Sequence, residues 1–81
     1  MKNIKIEWCE NFIKATFKKL PKFATGIETN LFFKMAENAG LYIPGTYGSP
    51  MSQALGNLTT VETVQDANGN YAFAAFHMKE V

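Results

Sequence analysis

The sequence predicts a small α+β domain: an antiparallel sheet of about four strands with two helices packed on one face, in the order ββααββ. Three observations carry this. Residues 3–19 can be paired in register as a hairpin. Residues 25–39 hold an apolar stripe between a helix start signal and a helix stop signal. Residues 58–78 set a strong turn between two β-rich runs. A single domain over residues 1–81 follows, because a chain this short has little room for a second core.

The first hairpin rests on register. With Glu10-Asn11 at the turn, Trp8 meets Ile13, Ile6 meets Ala15 and Ile4 meets Phe17 on one face. Glu7 meets Lys14 on the other. The run FIKATF is rich in β-favouring types. Phe12, Ile13, Phe17 and Leu20 also suit a helix face, but a helix here lacks a good N-cap.

The second unit is a helix. Thr25-Gly26-Ile27-Glu28 has capping-box spacing, with Thr25 as cap and Glu28 reaching back. Ile27, Leu31, Phe32, Met35, Ala36 and Ala39 recur at helical spacing. Thr29, Asn30, Lys34 and Glu37 face away. Gly40 is the expected left-handed terminator, with Leu41 folding back on Ala36. Phe33 breaks the pattern by projecting on the polar side.

The stretch GLYIPGTYGSPM follows. Pro44-Gly45 fits the centre of a type II turn. Ser49-Pro50 reads as an N-cap with proline at the first helical position, opening a short helix to Leu55 that stops at Gly56. Tyr42, Tyr47 and Gly48 are left without a backbone task. In the last unit, Asp66-Ala67-Asn68-Gly69 turns LTTVETVQ into YAFAAFHM. That final run is apolar on both faces, as a central strand is.

Composition narrows function by exclusion. The formal charge of +1 fits neither a nucleic-acid mimic nor a strongly basic binder. Seven lysines against four glutamates give the first forty positions +3, and the remainder carries −2. Arginine, the rigid fork for phosphates and guanine edges, is absent. One cysteine, Cys9, makes no internal disulfide, and no apolar run approaches a membrane span. The N-terminal residues lack a signal peptide's apolar core. These features suggest a cytoplasmic protein with no membrane partner.

No chemistry-bearing constellation stands out, and no catalytic residue, metal ligand or cofactor is assigned. The glycine-rich loop lacks the Gly-Lys-Ser/Thr ending of a phosphate loop, and Pro50 removes a donor. Cys9 and His77 are a lone thiol and a lone imidazole with nothing flanking them, so an enzyme built on them is the third reading. Lys14, Lys18, Lys19 and Lys22 form a small basic cluster near Phe23. Gripping a single strand weakly by charge and stacking is the second reading. The leading expectation is a non-enzymatic interaction domain that binds another protein or itself through Phe33, Tyr42, Tyr47 and Tyr71. Accessory proteins or inhibitors of the kind mobile elements encode share this size and lack of catalytic set.

Overall fold

The structure is a computed structural model that describes residues 3–45 and 48–79. Its elements run α1 (Ile6–Lys18), β1 (Ile27–Glu28), α2 (Thr29–Asn38), α3 (Pro50–Leu58), β2 (Thr59–Gln65) and β3 (Tyr71–Met78). The sheet is antiparallel in the order β1-β3-β2. The α+β class is as expected. The ββααββ order is not: among the described residues three helices and three strands are seen in place of two and four.

The largest correction is at the start, where a helix replaces the hairpin. Cys9, Ile13 and Thr16 are buried at i, i+4 and i+7, with Phe12 and Phe17 half-buried beside them. The 3.6-residue period thus sets one stripe against α3, α1's main contact. Local β preference yields to that packing, and Glu-Asn is too weak a turn to oppose it. The helix does lack a side-chain cap, and Lys5 stands at the N-cap position. The Lys5 carbonyl accepts from the amides of Trp8 and Cys9 instead. Glu7 in the first turn and Lys18 in the last complement the helix dipole. The Thr16 hydroxyl donates to the Phe12 carbonyl at 2.8 Å, so its burial leaves no orphaned oxygen. Trp8, expected against Ile13, is exposed with the Lys5 ammonium 5.7 Å from its ring.

The second helix begins three residues later than the capping box implied. Ile27 and Glu28 pair as a short strand with Phe76 and Ala75. Glu28 then takes the N-cap position without a side-chain bond. Thr25 is engaged elsewhere, since its carbonyl accepts from the His77 ring. The buried stripe rotates accordingly. Thr29, Phe32 and Ala36 are buried while Leu31 is half exposed. Thr29, expected outward, donates its hydroxyl to the Phe73 carbonyl at 3.2 Å.

The stop signal is as expected. Gly40 has φ 75°, its amide donates to Glu37 and the Leu41 amide donates to Ala36 at 2.9 Å, a Schellman motif. Gly45 has φ 84°, as the third position of a type II turn requires. Ser49 caps α3 by accepting from the Ser52 amide, with Pro50 at the first helical position. Gly56 does not stop this helix, which continues to Leu58.

The β2–β3 hairpin forms, with β3 central. Asp66 closes the turn with Gly69 and Asn70, and its carboxylate accepts from the amides of Asn68 and Asn70. The register slips once: Glu62 faces Ala75 but Thr63 faces Phe73, which leaves Ala74 extra. The core lies where the sheet meets the helices. Phe32 is its centre, edge-on to Phe12 at 5.7 Å and to Phe76 at 5.5 Å, with Ile13, Met51 and Leu55 around it.

Candidate interaction surface

The bulge at Ala74 decides which face Phe73 takes. A regular strand would put Phe73 and Phe76 on opposite faces, three residues apart. With one residue extra, the pairs Val61–Phe76, Thr63–Phe73 and Gln65–Tyr71 share a face. The near end of that face is core: Phe76 is buried against Phe32 and Phe33. The far end is uncovered, with Phe73 72% and Tyr71 73% exposed.

An open groove of about 270 Å³ lies between this face and α3. Phe33, Leu55, Val61, Phe73 and Phe76 form its apolar walls. Gly56 lines it on the α3 side, and among the described residues Ser52 and Thr59 supply its only side-chain hydroxyls. The Thr59 hydroxyl is already committed to the Leu55 carbonyl at 2.6 Å. Such a groove suits apolar side chains and offers nothing to grip a charge.

The four expected contact aromatics have different fates. Phe33 is half-buried as a groove wall, tilted on Tyr42 at 4.8 Å and edge-on to Phe76 at 5.6 Å. Tyr42 is half-buried and packs against the core. Tyr71 stands exposed on the hairpin. Tyr47 lies outside the described residues. Gly48 does have a structural duty: φ is 61°, and its carbonyl accepts from the Gln53 side chain at 2.9 Å. Sequence reasoning misses Phe73 and Val61, because it treats a doubly apolar strand as buried on both faces. Counting outward from the turn places Thr63 against Phe73, and only the extra Ala74 then aligns Phe73 with Phe76.

The basic cluster is exposed at all four positions. Lys14 and Lys18 share a face one helical turn apart, and Thr16, which a strand would set between them, is buried on another. Lys19 caps the helix end. Lys22 sits beside Phe23, which is 88% exposed.

Cys9 and His77 lie in different surroundings. Cys9 is fully buried, its thiol 3.9 Å from the Leu41 carbonyl, and burial pushes its pKa up. A reactive thiol needs the opposite environment. His77 holds the sheet together on its other face. Its Nδ1 donates to the Thr25 carbonyl at 2.7 Å, and its Nε2 lies 3.0 Å from the Glu62 carboxylate. Among the described residues, no group of three or more His, Cys, Asp or Glu side chains is placed to hold a metal ion. None of the described helices is long and apolar enough to cross a membrane. No family model, curated protein or solved structure matches the chain.

Proposed function

We propose that the chain is a small non-enzymatic protein-interaction domain whose contact surface is the uncovered sheet face and its groove. Phe73 and Tyr71 are the anchors, and Phe33 and Val61 form the adjoining walls. The observation that carries this is the exposure of two aromatic rings on the same face whose other end is the buried core. Large contiguous apolar surface costs free energy in water and marks contact sites. Aromatic rings supply contact area with few rotors to immobilise. An accessory or inhibitory role of this kind acts by occupying a partner's surface. A photo-crosslinking phenylalanine analogue at position 73, expressed in the native host, tests it. A discrete protein adduct is expected, lost when Val61 is also changed to Asp; the absence of any adduct would overturn the reading. A second reading, weak single-strand nucleic-acid contact through Lys14, Lys18, Lys19 and Lys22, rests on their joint exposure, with the exposed Phe23 following Lys22 in the chain. Its signature is binding that falls steeply with salt.

A further inference from the structure

Resting on that reading, we infer that the partner is a second copy of this chain, joined by antiparallel pairing of β2 with its symmetry mate. The order β1-β3-β2 leaves β2 at the sheet edge. Such an edge presents a row of unpaired amides and carbonyls, and proteins ordinarily blunt it with lysine, proline or brevity. β2 has no lysine or proline and is not short, although a charge at Glu62 and the bulge across from Glu62 and Thr63 blunt it in part. Its seven residues, TTVETVQ, carry one charge, and all but Thr59 are exposed. An antiparallel strand is its own complement about a two-fold axis, so a second copy supplies the missing strand without any new sequence.

The residues select the register. An axis through Glu62 sets that carboxylate against itself. An axis through Val61 draws in Thr59, which is buried and bonded to α3. An axis through Thr63 uses only the exposed residues 61–65. It sets Thr63 against Thr63, a favourable cross-strand pair, Glu62 against Val64 and Val61 against Gln65. Because Thr63 faces Phe73 and Gln65 faces Tyr71 within each copy, the two uncovered faces become one. The partner's Tyr71 then stands two strands from Val61, a groove-lining residue, roughly 10 Å away.

The area fits a weak dimer. Phe and Tyr rings bury about 150–250 Å² each when fully covered. Edge pairing leaves these rings on the open face, so residues 61–65 and their backbone supply most of the contact, below the roughly 1,200 Å² at which standard interfaces begin. Dissociation constants of weak complexes lie on the order of 10 μM to 1 mM.

Sedimentation equilibrium of the full chain across that range is the test, with folding checked by circular dichroism. A concentration-dependent dimer is expected. Thr63→Lys and Thr63→Glu should each weaken it at least tenfold, because each sets like charges opposite. Mixing the two variants should restore it. A chain that stays monomeric throughout overturns the inference, as does a dimer indifferent to Thr63→Lys or a mixture that fails to recover. A Phe73 crosslink to a protein of another mass would sink the second-copy inference and leave the interaction reading standing. An adduct of twice the chain's mass supports both.

Discussion

The two ends of the β2–β3 hairpin hold the same kinds of residue in opposite surroundings. At the base, Thr59 and Phe76 are buried, and Phe76 is enclosed by the rings of Phe32 and Phe33. At the far end every residue from Thr60 to Phe73 is exposed, and order comes from the ladder, the Asp66 turn and side-chain bonds such as that from Thr29 to the Phe73 carbonyl. Both ends display a phenylalanine on the same face. The aromatic at the base completes a core, whereas the one beyond it adds apolar area to water with no return in folding stability. An aromatic strand pattern thus reports two separate needs, and only burial distinguishes them.

Paired truncations separate the two ends most clearly. Phe32→Ala removes the central ring of the core and should cost about 3–5 kcal/mol, a large share of the stability of a small domain. Phe73→Ser should shift the stability read from a urea titration by less than about 1 kcal/mol. If Phe73→Ser were as destabilising as Phe32→Ala, the far end would be core, and the proposed surface would be wrong.

The join between the ends gives an intermediate case. Gly26 lies where a Cβ would stand 2.6 Å from the Phe76 carbonyl and 2.7 Å from the His77 ring. Gly26→Ala must therefore displace β1 from β3 or tilt the imidazole off the Thr25 carbonyl. A loss of about 1–3 kcal/mol in chemical denaturation is expected, as for other overpacked sites. The effect should concentrate at β1, read as faster amide exchange at Glu28 than at the hairpin turn. Uniform exchange would mean that the sheet does not yield locally there.

Much of the fold is legible in the sequence itself, for a consistent reason. The Gly40 stop, the Ser49-Pro50 start and the Asp66–Gly69 turn are each fixed by backbone chemistry within a few residues, and each stands where the residues place it. The first helix is not legible in this way. Its stripe of Cys9, Ile13 and Thr16 includes a threonine, and pattern reading counts a threonine as polar until its hydroxyl is seen bonded to Phe12. Thr25 misleads in the opposite way: capping-box spacing is present, but pairing of Ile27 with Phe76 claims that segment for the sheet. The groove is legible only in part. Phe33 stands out as an aromatic on a polar face, but Phe73 joins it through a bulge that no turn or propensity signal announces.

The mildest substitution tells fold from contact most cleanly. Gly56 sits inside α3, where glycine is less favourable than alanine by up to about 1 kcal/mol. A Cβ added there would meet no atom within 4 Å, so Gly56→Ala should raise stability by about 0.5–1 kcal/mol. Yet Gly56 lines the groove, so a methyl there takes up some of the open space at its wall. If the groove serves only as a gap in the packing, association should be unchanged or should improve with the fold. If it receives a partner's side chain, the stabilised variant should associate several-fold more weakly. Opposite signs in a thermal melt and a sedimentation run on one variant would mean that glycine is kept at this helical position for the space it leaves, at the expense of the helix.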